Sequence, residues 1–364
     1  MSNYCPRIYH GLSLNNITKT DLTYAACCWA KSVVTGPKLD FDNPDFMFLR
    51  AINTQNLLPP DYCAACVNQE QAGAKSMRQG YIELHPLETR QPCLEYLDIN
   101  VDYTCNLACV TCGPDLSTTW RNELKIKGQD VRPDLAVFLT DQLGSLDLAH
   151  LKEIRIWGGE PFLTHTHQRI LEYVADRCDP ANIRVMYNTN GTQRITTEVK
   201  QLLERFKFVR ISFSIDGVGE QFEYLRYPAR WGDVETTLFW WRDNLPHNSM
   251  LSLTVTASLL NVLYLNSVAE WHASHFNKSI FGDEIELYVH EAFGMYALQN
   301  MPQDQVEYLK SLTNYAFPWI QSLSNLGATE QNITEIVSTL RALDQRRNVN
   351  LATALPLTAQ FLNY

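Results

Sequence analysis

The sequence predicts an α/β protein built on a parallel β-sheet, and three observations lead to this fold class. Short β-rich runs alternate with longer helical patterns from about Pro92 onward. Parallel neighbours need crossover connections, and these helices would supply them. The alternation stops near Glu291, after which helical patterns continue alone. Six strand–helix units in series predict a partial barrel or an open doubly wound sheet, and periodicity does not choose between the two.

The six strands are predicted from runs rich in β-branched and aromatic residues. They are Leu94–Asn100, Glu153–Trp157, Ile183–Asn188, Phe208–Ile215, Leu251–Ala257 and Glu284–Val289. The helices predicted between them are Thr118–Lys127, Pro133–Leu143, Gln168–Arg177, Thr196–Phe206, Val234–Asn244 and Asn266–His275. Pro133 suits the first turn of a helix, and Thr196 suits an N-cap. In either architecture, functional side chains are expected at the carboxyl ends of the strands.

Differences in periodicity, proline content and cysteine content predict three parts of the chain. Residues 1–92 have proline-containing loops and little periodicity, and six of the ten cysteines lie before residue 94. Residues 93–290 hold the strand–helix units, and residues 291–364 hold helical patterns at Gln303–Ala316 and Asn332–Leu343. We therefore predict a small N-terminal cysteine-rich module, a core sheet domain and a C-terminal helical cap or docking segment.

Composition and charge narrow the class of protein. A chain of 364 residues with 45% hydrophobic and 19% charged residues has the composition of a globular protein with a sizeable core. Its net charge of −10 argues against a general nucleic-acid binder. No apolar run is long enough to cross a bilayer, and the start MSNYCPRIYHG lacks a secretory signal. We expect a cytoplasmic protein without membrane or nucleic-acid partners, whose clustered thiols serve metal or redox chemistry.

Cys105, Cys109 and Cys112 form a C-x3-C-x2-C triplet directly after the first predicted strand. One helix face cannot present all three thiols, but a loop can wrap them around a cluster corner. Three ligands for four irons leave one iron open, whereas zinc sites and electron-transfer clusters usually take a fourth protein ligand. No other cysteine lies close to the triplet in the sequence. A zinc loop and incidental buried thiols are the alternatives.

Three further motifs follow the next three strands. Gly158-Gly159-Glu160-Pro161 follows the second, Asn188-Thr-Asn190-Gly191 the third, and Ser212-Phe-Ser214-Ile-Asp216-Gly217 the fourth. Paired glycines let backbone approach a ligand without a side chain in the way, and a carboxylate can pair with an ammonium group. Each segment is also a good turn sequence, which is the structural alternative.

The ordered set of motifs over about residues 93–290 resembles the radical S-adenosylmethionine (SAM) superfamily. The resemblance implies a partial (β/α)6 TIM-type barrel and a [4Fe–4S] cluster on the triplet, whose open iron binds SAM through its amino and carboxylate groups. It also implies reductive cleavage of SAM to methionine and a 5′-deoxyadenosyl radical that abstracts a substrate hydrogen. Many members have an aromatic residue just before the third cysteine, where this chain has Thr111.

The resemblance also implies which residues contact SAM. GGEP would orient the amino group, NTNG and the S-x-D-G segment would contact the ribose and carboxylate, and residues after the fifth strand would reach the ribose or adenine. The set is Gly158, Gly159, Glu160, Asn188, Asn190, Ser212, Ser214, Asp216, Ser258 and Asn261. Arg226 would pair with the SAM carboxylate or with Asp216.

Cys5, Cys27, Cys63 and Cys66 form a second constellation, with Cys28 as a substitute for Cys27. Four thiols suffice for zinc or a complete [4Fe–4S] cluster, and structural thiols are a third possibility. Adjacent cysteines point in different directions, so only one of the Cys27–Cys28 pair should ligate. The layout resembles radical SAM proteins with a twitch module, a shortened SPASM-type domain, placed before the barrel. That resemblance implies an auxiliary [4Fe–4S] cluster that assists electron transfer or contacts substrate.

The two remaining cysteines, Cys93 and Cys178, are assigned to the core or to the surroundings of a cluster, with hydrogen-atom donation as the alternative. The end of the chain, with Leu343-Asp-Gln-Arg-Arg347 before Pro356, also looks like twitch-containing proteins.

The resemblance implies, for function, modification of a ribosomally made peptide by epimerisation, cross-linking or residue excision. Its implied partners are a precursor peptide and an electron donor such as flavodoxin or ferredoxin, with a separate precursor-recognition protein as a further partner. The alternatives are a radical SAM enzyme acting on a sugar, amino acid or nucleoside, and a non-catalytic Fe–S or zinc binding protein.

Overall fold

A computed structural model describes residues 3–18, 21–30, 33–73, 75–84, 88–126, 135–278, 284–324, 326–327 and 330–364. Its described strands form one sheet in the order β3-β2-β1-β4-β5-β6-β7-β8-β9. The strands are β1 Gly11–Ile17, β2 Leu22–Ala25, β3 Val34–Gly36, β4 Tyr96–Asn100, β5 Glu153–Trp157, β6 Arg184–Thr189, β7 Phe208–Ser214, β8 Ser249–Ala257 and β9 Glu286–Glu291. Strands β4 to β9 pair in parallel, as predicted. The six core strands are confirmed, with no end displaced by more than two residues.

The helices fill the crossovers and the two flanking regions. The α-helices are α1 Pro6–His10, α2 Pro44–Thr54, α3 Pro60–Gln71, α4 Met77–Leu84, α5 Thr118–Glu123, α6 Leu135–Gly144, α7 Thr166–Ala175, α8 Thr197–Leu203, α9 Glu220–Leu225, α10 Trp231–Asn244, α11 Leu265–His275, α12 Gln303–Ser311, α13 Pro318–Gln321, α14 Glu330–Arg347, α15 Leu351–Ala354 and α16 Pro356–Phe361. Short 3-10 turns lie at Pro161–Leu163, Pro180–Asn182, Val262–Tyr264, Gly294–Tyr296 and Leu298–Asn300. None of the helices within the described ranges combines the length and the apolar character that crossing a bilayer requires.

All six predicted crossover helices are present in the predicted order, and the structure adds a seventh, α9, between β7 and α10. Thr196 is the N-cap of α8, where its hydroxyl accepts a hydrogen bond from the Val199 N–H and satisfies one of the free first-turn donors. Helix α5 is shorter than predicted, and the predicted helix end at Lys127 and start at Pro133 lie outside the described residues.

The two faces of the sheet differ in chemistry. Along β7, Val209, Ile211 and Phe213 are fully buried, and Phe213 packs against the Trp241 ring of α10. The intervening residues, such as Arg210, lie on the opposite face, because successive strand residues alternate. We call that opposite face the polar face. Its residues in β4 to β9 include Asp98, Glu153, Arg155, Arg184, Arg210, Ser212, Ser214, Ser252, Thr254, Glu286, Tyr288 and His290.

The first 92 residues contain β1 to β3, which the sequence analysis did not predict. Strand β1 pairs in parallel with β4, with Ser13 opposite Asp98, and β2 and β3 continue the sheet in antiparallel fashion. The sheet therefore runs across the predicted boundary at residue 92, and buried side chains on both sides of that boundary belong to one core cluster. The three-part division stays a prediction about independent folding units.

The C-terminal part is helical in its described residues beyond β9, as predicted. The expected helix at 303–316 ends early, at Ser311, and the one at 332–343 lies within α14. Asp344 of α14 accepts hydrogen bonds from Tyr224 (2.8 Å) and Tyr364 (2.7 Å), and so joins α9 to the end of the chain. The C-terminal helix α14 thus contacts α9, the helix that follows the carboxyl end of β7.

Candidate cluster and cofactor site

The loop that carries Cys105, Cys109 and Cys112 connects β4 to α5. The Cys105 N–H donates to the Thr118 hydroxyl (3.1 Å), and its carbonyl accepts from the Thr119 hydroxyl (2.7 Å). The Trp120 indole N–H donates to the Cys109 carbonyl (2.8 Å). The first turn of α5 therefore holds the loop closed around the three thiols.

A second support comes from the segment 225–227 beyond α9. The Ala108 N–H donates to the Tyr227 carbonyl (2.6 Å), and the Val110 N–H donates to the Leu225 carbonyl (2.8 Å). These two bonds flank Cys109 on either side. They place Arg226 opposite it, with Nη1 at 3.9 Å from the Cys109 sulfur.

The electrostatics of the three half-buried thiols suit a metal cluster. Burial raises the pKa of Cys105 to about 11 and that of Cys109 to about 12, and it also raises the pKa of Cys112. Charge on Cys112 would raise the pKa values of Cys105 and Cys109 further, while the Arg226 guanidinium lowers those of Cys109 and Cys112. Three thiols that are neutral without a cation, and that share one loop, fit a site that deprotonates when iron binds.

The two glycines after β5 contact the segment that leads into Cys105. The Gly159 N–H donates to the Asp102 carbonyl, and the Glu160 N–H donates to the Thr104 carbonyl, both at 2.8 Å. A Cβ on Gly159 would lie 2.3 Å from the Thr104 oxygen, and one on Gly158 (φ +148°) would lie 2.4 Å from the Asp102 oxygen. The sequence predicted that these glycines admit a ligand, but the contact that requires them here is with the protein backbone.

Glu160 is buried at the junction of β5 and β6. Its Oε1 accepts from the Thr189 hydroxyl (2.7 Å) and its Oε2 from the Asn190 N–H (2.6 Å). Burial raises the pKa of Glu160 to about 7. An ammonium group bound beside Glu160 would lower this pKa and keep the carboxylate in its charged form.

Asn190 joins Glu160 to the cysteine loop. Its Nδ2 donates to the Asn106 side-chain oxygen (2.9 Å) and lies 3.8 Å from the Cys105 sulfur. The structure thus brings the predicted residues Glu160 and Asn190 to the triplet. Sequence analysis missed Asn106 and Thr189, although each directly neighbours a predicted residue.

Asn188, Ser212 and Ser214 lie on the polar face just before the carboxyl edge of the sheet. Asn188 is exposed and is in register with Ser212, whose hydroxyl lies 2.7 Å from that of Ser252. Ser214 is half-buried one step further along the same face. Their orientation is compatible with a ligand above the sheet, and direct contact with SAM stays a prediction.

Asp216 and Arg226 form a buried ion pair beyond the end of β7. Asp216 Oδ1 accepts from the Thr256 N–H (2.8 Å), and its Oδ2 pairs with Arg226 Nη2 (2.8 Å). Of the two partners predicted for Arg226, the structure shows Asp216, and contact with the SAM carboxylate stays a prediction. The guanidinium therefore connects the end of β7 to Cys109.

Ser258 and Asn261 are buried in the turn after β8. The Asn261 side-chain oxygen accepts from the Ser258 N–H (2.7 Å) and hydroxyl (3.0 Å). Its Nδ2 donates to the carbonyls of Asp216 (2.9 Å) and Thr256 (3.0 Å). Since both amide hydrogens are used within the protein, Asn261 holds the Asp216 turn in place. The predicted direct contact of these two residues with SAM stays a prediction.

The N-terminal cysteines also converge. Cys5 caps α1, Cys27 follows β2, and Cys63 and Cys66 lie three residues apart on one face of α3. All four line one cavity, together with Arg7 and Arg78. Burial raises the pKa of Cys5 and of Cys66 to about 11 and that of Cys63 to about 12.

Cys27 lines this four-cysteine cavity, and Cys28 is not among its lining residues. The Cys28 thiol lies close enough to Asp98 and Arg155 on the polar face for both to influence its pKa. The neighbouring Trp29 packs edge-on against His290 of β9 at 5.7 Å. The segment 27–29 thus reaches from the cavity to the polar face.

The two arginines of the cavity are each paired with a carboxylate. Arg7 forms a buried ion pair with Asp98 of β4, and Arg78 pairs with Glu70 and donates to the Tyr4 carbonyl (2.9 Å). Because α1 precedes β1, which runs parallel to β4, the cavity and the triplet lie at opposite ends of β4.

The two remaining cysteines belong to neither set. Cys93 precedes β4, and Cys178 follows α7 with its thiol 3.6 Å from the Leu148 carbonyl. Both lie toward the amino ends of their neighbouring strands, away from the triplet loop, which does not favour the alternative of hydrogen-atom donation at the triplet.

Comparison with known proteins finds a superfamily match within the core sheet region. The profile of the Radical SAM superfamily matches residues 99–256. A GTP 3′,8-cyclase from Syntrophomonas wolfei subsp. wolfei is 25% identical over 154 residues, which are 42% of this chain and 44% of the cyclase. The chain thus matches less than half the length of that relative.

Two solved structures share part of the chain trace. AnSMEcpe with bound AdoMet has a TM-score of 0.43 at 17% identity, over 68% of this chain and 66% of that one. Streptococcus suis SuiB bound to S-adenosylmethionine has a TM-score of 0.39 at 13% identity, over 86% and 62% of the two chains. The superfamily profile runs from the last two residues of β4 through nearly all of β8 and includes the triplet, GGEP, NTNG and S-x-D-G segments. Residues 99–256 of this chain are therefore similar to the Radical SAM superfamily across all four motifs.

Proposed function

We propose that this chain is a radical SAM enzyme that binds a [4Fe–4S] cluster through Cys105, Cys109 and Cys112. The observation that carries the proposal is the closed loop of three thiols, held by α5 on one side and by residues 225–227 on the other. With cluster and SAM bound, the chemistry supplied is one-electron cleavage of SAM and abstraction of a hydrogen atom from a substrate.

The protein's own residues hold and orient the reacting groups. Glu160 Oε1 accepts from both the Thr189 hydroxyl and the Phe162 N–H, whereas Oε2 accepts only from the Asn190 N–H. Oε2 therefore keeps a lone pair that can accept from an ammonium group. Arg226 places a fixed positive charge beside Cys109 and stabilises the negative charge of a thiolate-ligated cluster. Positioning of this kind is the protein's part in cofactor chemistry.

The test is formation of 5′-deoxyadenosine from SAM and dithionite by the anaerobically reconstituted full-length chain. The variants Cys105→Ala, Cys109→Ala and Cys112→Ala should each abolish the product. Cys178→Ala is the matched control, because this half-buried thiol lies outside both cysteine sets, and it should keep the activity. Product formation that survives the triplet variants would refute the assignment.

We further propose that Cys5, Cys27, Cys63 and Cys66 hold an auxiliary [4Fe–4S] cluster. Their convergence on one cavity supports a four-thiolate site, and zinc is the competing occupant. Reconstituted protein should then contain about seven to eight irons per chain. About four irons together with a zinc that Cys63→Ser removes would support the competing occupant.

The substrate proposed first is a ribosomally made peptide, on the resemblance of the cysteine layout to twitch-containing maturases. The segment 27–29 supports an auxiliary site that contacts substrate, because it lies against the polar face at Asp98, Arg155 and His290. An external electron donor such as flavodoxin or ferredoxin, and a separate precursor-recognition protein, are part of this proposal.

A second candidate is an anionic small molecule such as a nucleotide, and one specific observation favours it. The polar face carries Arg155, Arg184 and Arg210, whose side chains are 23–25% exposed, against the carboxylates Glu153 and Glu286. Arg7 and Asp98 cancel, which leaves an excess of positive charge in a chain of net charge −10. The matched relative acts on GTP, according to its name.

Deuterium transfer separates the two substrate classes. Reaction with a deuterated substrate should place deuterium in 5′-deoxyadenosine only when a C–D bond of that substrate is the one broken. Transfer from a peptide encoded beside this gene would support maturation. Transfer from deuterated GTP but not from the peptide would replace the first proposal by the second.

A further inference from the structure

His10, Cys93 and Glu95 form a third cluster of potential metal ligands, separate from both cysteine sets. The His10 Nδ1 lies 3.5 Å from the Cys93 sulfur, and that sulfur lies 3.7 Å from Glu95 Oε1. All three atoms lie within 4.8 Å of one another. His10 is buried, and the other two are half-buried at the start of β4.

The hydrogen bonds of His10 orient a lone pair toward this cluster. Its Nε2 lies 2.9 Å from the Thr89 carbonyl, which can only accept, so Nε2 carries the proton. In the neutral ring Nδ1 is then unprotonated, and it faces the Cys93 sulfur and, at 3.2 Å, the Cys93 carbonyl oxygen. Metal-binding histidines typically donate their other ring N–H to a carbonyl in this way.

We propose that His10, Cys93 and Glu95 bind one zinc ion. Zinc takes imidazole, thiolate and carboxylate ligands at about 2.0–2.3 Å, so tetrahedral ligand atoms lie about 3.3–3.8 Å apart. The Nδ1–Sγ separation of 3.5 Å and the Sγ–Oε1 separation of 3.7 Å fall in that range, and the ligand atoms of all three residues lie within 4.8 Å of one another. Three protein ligands leave the fourth position to water.

One neighbouring cation competes for Glu95. Lys152 Nζ lies 2.7 Å from the same Oε1, and its side chain is 48% exposed. The ammonium group can move into solvent when a divalent ion binds, because the four-carbon stem of lysine is flexible. A carboxylate oxygen can also accept both partners, since each oxygen has two lone pairs.

The proposed zinc would join α1 to the core sheet. His10 is the last residue of α1, and its carbonyl already accepts from the Glu95 N–H (2.9 Å). The same short helix carries Arg7 and is capped by Cys5, which lines the four-cysteine cavity. The ion would fix the helix that presents Cys5. This inference does not depend on the proposed enzymatic function.

The competing arrangement has a proton in place of the metal. A doubly protonated His10 would donate to the carbonyls of both Thr89 and Cys93, and the Cys93 thiol would donate to Glu95. The cluster would then be a hydrogen-bond network without affinity for zinc.

The test is zinc content of the full-length protein after incubation with zinc and exhaustive dialysis, for wild type, Cys93→Ser, Cys178→Ser and Cys63→Ser. We expect one zinc to be lost selectively in Cys93→Ser and retained in the other two variants. A zinc content that Cys93→Ser leaves unchanged, or that only Cys63→Ser lowers, would overturn the proposal. Absence of bound zinc in wild type would also overturn it.

A measurement on the wild-type protein removes dependence on the folding of variants. Zinc-edge X-ray absorption should show one sulfur at about 2.3 Å and nitrogen or oxygen neighbours at about 2.0–2.2 Å. A shell of four sulfurs would place the ion in the four-cysteine cavity instead and overturn the assignment.

Discussion

The two ends of β4 carry cysteine sets that are assembled in different ways. At the carboxyl end, three thiols lie within eight residues on one loop. At the amino end, the cavity gathers Cys5, Cys27, Cys63 and Cys66 from three separate segments of the first 66 residues. The first set needs tertiary structure only to hold its loop closed, whereas the second exists only after α1, β2 and α3 have packed together.

Both ends nevertheless use the same two supporting devices. A buried arginine–aspartate pair lies beside the thiols in each case, Arg226–Asp216 at the triplet and Arg7–Asp98 at the cavity. A glycine also lets a cysteine-bearing segment approach closely. A Cβ on Gly159 would lie 2.3 Å from the Thr104 oxygen, and one on Gly11 would lie 2.4 Å from the Ala26 oxygen. Both cysteine sets of this chain thus lie beside a paired arginine and a close backbone contact.

The largest expected effect separates the two ends by function. The double variant Cys63→Ser/Cys66→Ser should lower the iron content from about eight to about four per chain, because a four-thiolate cluster loses half its ligands. It should keep 5′-deoxyadenosine formation with dithionite, which Cys109→Ala abolishes. Iron analysis and product assay on the same samples check this. Loss of SAM cleavage in the double variant would show that the two sites are not functionally separable.

The buried ion pairs should contribute similarly at both ends. Arg226→Met and Arg7→Met each leave a buried aspartate without its partner, and each should lower the free energy of unfolding by about 3–5 kcal/mol. Arg230→Met is the control, because its pair with Glu223 is exposed on the arginine side and should contribute about 0–1 kcal/mol. Denaturant unfolding measures all three. Equal small losses would mean that the aspartates find other partners.

Stability should also depend on pH through His167, which is buried, and His290, which is half-buried. Burial lowers the pKa of His167, which lies under the carboxyl end against Tyr187, and that of His290, which packs on Trp29, to about 4 each. Both are neutral in the folded chain, so the unfolded chain binds more protons below about pH 6.5. Stability is therefore full above that pH and falls as the pH drops toward 4, by up to about 3 kcal/mol per histidine.

Each histidine can be tested by flattening this slope. His167→Gln and His290→Gln should each remove part of the acid-side loss between about pH 6.5 and pH 4. His247→Gln, at an exposed position, should leave the slope unchanged. The measurement is the free energy of unfolding across this pH range. If neither His167→Gln nor His290→Gln alters its slope, these histidines do not cause the acid-side loss.

The smallest expected effect concerns the glycines. Gly159→Ala and Gly11→Ala force a backbone shift and should each cost about 1–3 kcal/mol of stability. The first should lower occupancy of the triplet cluster, and the second that of the cavity. Gly113→Ala is the control, since a Cβ there meets no atom within 4 Å. If Gly159→Ala lowered the occupancy of the cavity instead, or Gly11→Ala that of the triplet, the local role of each glycine would be wrong.

Local sequence was enough to predict the six core strands and the polar motifs at their ends. Those features depend on local periodicity and turn chemistry, which act over a few residues. The cysteine triplet could also be predicted from the sequence, because its three thiols share one loop. Strand β1 was missed because its sequence GLSLNNI carries only a short apolar alternation, and pairing with β4 stabilises it.

Tertiary structure alone decided which partner each polar group takes. The sequence predicted two partners for Arg226 and favoured Cys27 over Cys28 as a ligand. In the structure, Arg226 pairs with Asp216 and Cys27 lines the cavity. Packing also turned Asn261 toward the Asp216 backbone. The physical reason is that such contacts join residues distant in sequence, so their free energy depends on how helices and strands pack and has no periodic signature in the chain.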